Sequence, residues 1–208
     1  MKVLLVNGSP HAQGCTYTAL AEVASELEKQ GVGAEIFQLG TKPISGCLAC
    51  GGCRRTVGPR CVMDDKVNEA LALVPEFDGF ILGSPVYYAS ISGQLSCFLD
   101  RLFFAGGALF ANKPGAAVVS CRRGGAATAF DDLNKYFTIS NMPIVSSIYW
   151  NQVHGSRADD VKQDLEGLQT MRQLGRNMAW MLKCIEAGKA AGVAMPELEP
   201  RIWTNFIR

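Results

Sequence analysis

What this sequence lacks first is charge of one sign: 20 lysines and arginines stand against 19 aspartates and glutamates, a net charge of +1. Without a basic excess there is no electrostatic footprint for nucleic acid, and without an acidic excess no solvating tail. No long hydrophobic run is present either. The least polar stretch, near 102–121, is broken by Asn112, Lys113 and Pro114, which excludes a membrane span there. Histidine is scarce; only His11 and His154 could serve as base to a nucleophilic cysteine. Internal repeats and low-complexity linkers are missing. The opening MKVLLVNGSP has one positive charge and a short apolar run, so it reads as a first β-strand rather than an export signal. A cytoplasmic setting is therefore expected, with the eight cysteines reduced and metal or redox roles ahead of structural disulfides.

What is present is an ordinary globular composition, 48% hydrophobic and 19% charged over 208 residues. A chain of this length fits one domain that buries roughly 70% of its unfolded surface. Short apolar runs alternate with helix-patterned segments. Strands are expected at 2–7, 34–39, 79–84, 115–121 and 143–149, apolar nearly throughout, as parallel strands covered on both faces are. Helices are expected near 16–30, 64–75, 92–103, 125–138 and 158–187. Gly31 stops the first, Gly188 marks the end of the last, and Val161, Leu165, Leu168, Leu174, Met178, Met181 and Ile185 form the last one's apolar stripe. This succession makes a doubly wound α/β sheet, which binds ligands at the carboxyl ends of its strands.

The loops at those ends carry the chemistry. After the first strand comes Gly8-Ser9-Pro10-His11-Ala12-Gln13-Gly14-Cys15-Thr16, followed by a helix. Small residues let backbone amides approach a phosphate, Ser9 and Thr16 add hydroxyls, and the helix adds the positive end of its dipole. A Walker A lysine and the G-x-G-x-x-G fingerprint are both absent, which leaves a neutral loop suited to one phosphate monoester, or simply a capped turn. The third strand ends in Gly83-Ser84-Pro85-Val86-Tyr87-Tyr88-Ala89-Ser90, whose aromatics and amides suit an isoalloxazine ring. The fourth delivers Ser120-Cys121-Arg122-Arg123-Gly124-Gly125, where the arginines either meet a ring or pyridine-nucleotide phosphate or remain solvated.

The remaining feature is the run GCLACGGCRRTVGPRC, in which Cys47, Cys50, Cys53 and Cys61 follow a C-x2-C-x2-C-x7-C spacing. One irregular loop of this kind can wrap the corners of a [4Fe–4S] cubane. Structural zinc sites more often use two separated C-x2-C pairs. A loop of free thiols is the open alternative. Cys97, Cys121 and Cys184 read as small buried hydrophobes.

Taken together, GSPHAQGCT, the cysteine run followed by Asp64-Asp65, GSPVYYASISGQLSCFLDRLF and the closing TNFIR resemble the NAD(P)H-dependent FMN reductases of the flavodoxin-like superfamily. The cysteine spacing is most similar to their iron–sulfur flavoprotein branch. The resemblance implies a five-stranded parallel sheet of order 2-1-3-4-5 with helices on both faces. It implies FMN phosphate binding at Ser9, His11, Gly14, Cys15 and Thr16, and ring contacts at Pro85, Val86, Tyr87, Tyr88 and Gly124. His11 stands where the family often has arginine, and Cys15 where it often has asparagine. No catalytic side chain is implied, because the flavin performs the chemistry. Hydride is expected from NAD(P)H, with electrons leaving to a quinone, flavin or nitro compound. The alternative is an iron–sulfur relay between proteins, with Cys47, Cys50, Cys53 and Cys61 as cluster ligands. Residues 1–188 are expected to form the FMN-binding domain. The tail 189–208, with Trp203, Phe206 and Ile207, is expected to pack on a neighbouring subunit of a homodimer or homotetramer, and Tyr149, Trp150 and Asn151 to complete a partner's site.

Overall fold

The computed structural model describes residues 1–200 together with Ile202 and Thr204; Trp203, Phe206 and Ile207 lie outside the described residues. Five strands, β1 (Lys2–Asn7), β2 (Gly33–Gln38), β3 (Gly79–Pro85), β4 (Gly115–Cys121) and β5 (Gln152–His154), form one sheet of order β2-β1-β3-β4-β5. Every pairing is parallel, with Leu5 of β1 opposite Ile36 of β2 and Ile81 of β3. Helices α1 (Cys15–Lys29), α2 (Lys66–Leu73), α3 (Gly93–Gly106), α4 (Ala126–Ile139), α5 (Ala158–Gln163) and α6 (Leu165–Ala190) supply the crossovers and the closing layer.

The unbroken apolar strands explain the two-sided burial. Alternate residues point to opposite faces, so Leu4, Val6, Phe80, Leu82, Ala117 and Val119 join Leu71, Leu95, Phe98 and Leu133 of α2, α3 and α4 in one core. Val3, Leu5, Ile81, Ala116 and Val118 join Ala19, Val23, Leu174 and Met178 of α1 and α6 in the other. At Gly31 the chain takes φ +77°, Gly31 N–H donates to Glu28 O and Val32 N–H to Leu27 O, the left-handed stop that the sequence signalled. The strand order reverses between β1 and β3, which opens a crevice at their carboxyl ends. Among the described residues, no helix is long and apolar enough to cross a membrane.

Four expectations are corrected. The fifth strand is not 143–149. That segment meets β4 only where Gly115 N–H donates to Pro143 O at 2.9 Å and Val145 N–H to Gly115 O at 2.8 Å. It then leaves the sheet, because Ser147 Oγ bonds Tyr149 O and Asn151 Oδ1 and competes with the ladder. Asn151 brings the chain back, donating to Ala117 O at 3.0 Å, and β5 begins after it. The last helix is interrupted at Asp164 (ψ 76°), whose carboxylate accepts from Gly167 N–H at 2.9 Å and His154 N–H at 2.6 Å and so starts α6 afresh. α6 passes Gly188 and stops at Gly192 (φ +81°), where Val193 N–H donates back to Gly188 O. Finally, Leu165 and Cys184 are exposed and do not join the core.

Candidate functional site

The loop after β1 is held from beneath. A side chain at Gly8 would meet Leu95 Cδ2 at 2.6 Å and Gly83 O at 2.8 Å, so only hydrogen fits where this loop crosses β3 and α3. Buried Asn7 accepts from Ser9 N–H at 3.1 Å through Oδ1, while its amide nitrogen donates to Gln38 Oε1, and Gln38 donates to Ser9 O at 2.7 Å. Ser9 Oγ in turn accepts from His11 N–H at 3.1 Å. Gly14 then starts α1 with no side-chain cap and no acidic residue in the first turn. The amides of that turn and the dipole behind them are thereby open to an anion. Thr16, 1% exposed, shares a hydrogen bond of 2.8 Å with Ser120 Oγ, tying this loop to β4.

The loop after β3 is pinned to the first. Ser84 Oγ accepts from Ser92 N–H at 3.0 Å, and Ser92 Oγ donates to Gly8 O at 2.8 Å. Val86 N–H donates to Ser120 O at 2.9 Å. Residues 87–90 then close a tight turn in which Tyr87 and Ser90 exchange backbone hydrogen bonds of 2.9 and 3.0 Å. Tyr88 and Ala89 carry φ of 50° and 59°, a left-handed conformation costly for side-chain-bearing residues. Gly125 (φ +85°) backs this turn so closely that a Cβ there would lie 2.7 Å from Ala89 Cα.

Between these loops opens a cleft of about 610 Å³, within the range of cofactor sites. Ser9, His11, Gly14, Cys15 and Thr16 line one side, Pro85, Val86 and Tyr87 another. Ser120, Cys121 and Arg122 come from β4, and Gly155, Ser156 and Arg157 from the loop after β5. Two arginines and a helix N-terminus face a lining without carboxylates, which suits an anionic ligand. Burial pushes both the Cys15 and Cys121 thiols up. Cys15 Sγ donates to Gly155 O at 3.5 Å. These are protonated packing thiols, so the nucleophilic-cysteine alternative loses its thiolate.

The four-cysteine loop lies at the same end of the sheet, after β2. Cys47, Cys50, Cys53 and Cys61 all line one small cavity whose other walls are Leu48, Gly51, Val62, Met63, Arg101, Phe104 and Ala105. Gly52 packs closely there: a Cβ would sit 2.5 Å from Val62 Cγ1 and 3.4 Å from Cys50 Sγ, so Val62 would have to shift. Among the described residues no three His, Cys, Asp or Glu side chains converge as ligands of a single metal ion. A cubane does not ask for that, because it presents a separate corner to each thiolate. Four thiols around one apolar hollow fit the donor set of such a cluster.

Residues 1–156 match the model of the NADPH-dependent FMN reductases. The chain belongs to that family. An iron–sulfur flavoprotein of Methanocaldococcus jannaschii is 33% identical over 194 residues, covering 89% of this chain and 100% of the relative. Among solved structures, the NAD(P)H:quinone oxidoreductase of Methanothermobacter marburgensis aligns with a TM-score of 0.65 at 16% identity, over 86% of this chain and 98% of the other. A flavodoxin from the Archaea aligns with a TM-score of 0.59 at 16% identity, over 88% and 99%. At such identities these two neighbours establish the flavodoxin-like fold. The family is one of FMN-dependent NAD(P)H oxidoreductases.

For this FMN reductase family member, eight of the ten residues singled out from the loops line the cleft: Ser9, His11, Gly14, Cys15, Thr16, Pro85, Val86 and Tyr87. Tyr88 and Gly124 do not. Tyr88 stands fully exposed on its turn, and a Cβ on Gly124 would meet nothing within 4 Å. Gly155, Ser156 and Arg157 escaped sequence reasoning because the fifth strand was placed too early. A strand ending at His154 would have marked this Gly-Ser loop by the same rule that marked the first.

Proposed function

We propose that this protein binds FMN noncovalently in the cleft, accepts hydride from NAD(P)H and passes electrons to a soluble quinone, flavin or nitro compound. The observation that carries the reading is the uncapped N-terminus of α1 opening into a cleft large enough for a cofactor and free of carboxylates. In this reading Ser9, His11, Gly14, Cys15 and Thr16 surround the phosphate, and Arg157, on the loop after β5 that touches Cys15 through Gly155, offsets its charge. Pro85, Val86 and Tyr87 lie along the ring. Bound FMN supplies the redox chemistry. The chain binds and orients it, shields one face with Pro85 and Val86, and leaves Arg122 to meet the pyridine nucleotide. Cys15 and Cys121 hold their protons and take no part in transfer.

Four thiols lining one cavity favour a second reading, in which Cys47, Cys50, Cys53 and Cys61 hold a [4Fe–4S] cluster and the protein relays electrons between partners. Tyr149 and Trp150, 57% and 53% exposed, support a second subunit packed beside the cleft. Anaerobic mixing with NADPH or NADH separates the readings. Prompt bleaching of the flavin band is expected of the reductase. No bleaching with either nucleotide would favour the relay, and a protein that retains no FMN would overturn both.

A further inference from the structure

Among the described residues Arg101 is the largest fully buried side chain, 1% exposed, on a helix that otherwise turns Leu95, Phe98, Leu99 and Leu102 into the core. A guanidinium cannot be left there without partners for its N–H groups. Nη1 donates to Asp65 Oδ2 at 2.6 Å and to Ser45 O at 3.3 Å. Nη2 donates to Asp65 Oδ1 at 3.0 Å and Met63 O at 2.9 Å. Nε and Nη2 both point at Cys61 Sγ, each at 3.4 Å. Ser45 precedes the first cysteine of the loop and Cys61 is the last, so one side chain ties the loop's entrance to its exit.

The carboxylate and the two carbonyls are enough for a clamp. The sulfur contacts are not needed for one, because a neutral thiol is a poor acceptor for two buried donors. They become charge-assisted bonds when the sulfur carries negative charge as a ligand. Of the four loop cysteines, Cys61 has both its backbone groups held by one side chain, Asn68. Its N–H donates to Asn68 Oδ1 at 2.8 Å, and Asn68 Nδ2 donates to its carbonyl at 3.0 Å.

We infer that Arg101 is a positioning residue for the iron–sulfur cluster: it aims Cys61 Sγ across the long gap from Cys53 and raises the cluster's reduction potential through two N–H···S bonds. This rests on the cluster reading of the four-cysteine loop. Reduction adds negative charge to the ligating sulfurs, and N–H donors with a buried positive charge stabilise that state.

The test uses the full chain, purified and iron-reconstituted without air, with FMN and iron per chain measured on each sample. Arg101→Lys keeps the charge and loses the planar fork. The expected result is unchanged FMN content, a cluster midpoint moved to more negative potential, an altered electron paramagnetic resonance signal in the reduced state, and several-fold faster iron loss to a chelator. Asp65→Asn keeps the fork and removes one negative charge, and moves the midpoint the other way. A clamp without an electronic role would alter yield or melting and leave the midpoint of retained cluster in place. Wild-type midpoint and signal in both variants overturn the inference, as does wild-type protein carrying FMN without iron. Iron and the shift without bound FMN would sink the flavin reading and uphold this one. Where Arg101→Lys does not fold, Asp65→Asn decides alone.

Discussion

Replacing Gly125 by alanine tests whether the third loop acts by bracing the Tyr87–Ser90 turn. At φ +85° an L side chain costs about 1–2 kcal/mol. The new Cβ would also stand 2.7 Å from Ala89 Cα and 3.1 Å from Val86 Cγ1. One of these contacts is backbone and cannot swing aside, which adds about 1–3 kcal/mol of overpacking. The total, about 2–5 kcal/mol, divides between two observables. Where the structure holds, it appears as lost stability; where the turn yields, Tyr87 and Val86 move away from the cleft and FMN affinity falls. A loss of about 2 kcal/mol in affinity is roughly 30-fold in Kd. Urea unfolding of the apoprotein and FMN fluorescence quenching measure both parts. Gly124→Ala is the internal control, because a Cβ there meets nothing within 4 Å and the backbone is not left-handed. The reasoning is refuted if Gly125→Ala matches wild type in both assays, or if Gly124→Ala is equally damaging.

Three further outcomes follow from named contacts. Arg157→Ala is expected to weaken FMN binding about tenfold at low ionic strength and less at high salt, since the charge is exposed; an unchanged Kd in fluorescence titration would remove the loop after β5 from the site. Arg176 Nε donates to Glu26 Oε1 at 2.8 Å and holds this buried carboxyl below the usual carboxylate range. A pKa depressed on folding contributes stability above the unfolded value of about 4.3 and loses it as pH falls through the folded value. Glu26→Gln is therefore less stable than wild type at pH 7, and the gap in urea midpoint narrows toward pH 3; a gap independent of pH would contradict the assignment. Gly175→Ala would bring Cβ to 2.9 Å from Glu26 Cβ and 3.0 Å from Val23 O, forcing α6 off α1 at a cost of about 1–3 kcal/mol in denaturant unfolding. Wild-type stability there would show that the two helices are not in close contact.

Much of this molecule was legible before its structure. Runs such as KVLLVN and GFILGS are apolar on both alternating faces, a pattern that only a sheet covered on two sides accommodates, and Gly31 stopped α1 where its left-handed freedom said it would. Loop composition pointed to the cleft because small residues and hydroxyls after a strand are a local property, read without knowing the neighbours. What the chain could not announce is decided by competition over distance. Whether 143–149 stays on β4 depends on Ser147 and Asn151 taking over its hydrogen bonds, and Gly125 differs from Gly124 because its backbone is left-handed and Ala89 lies against it. Arg101 meets Cys61 across 40 residues and Asp65 across 36, a meeting fixed by how α3 packs on the sheet. Periodicity and turn chemistry are written into neighbouring residues and set the fold class. The partners of a buried charge are chosen by packing, and only the tertiary structure could name them.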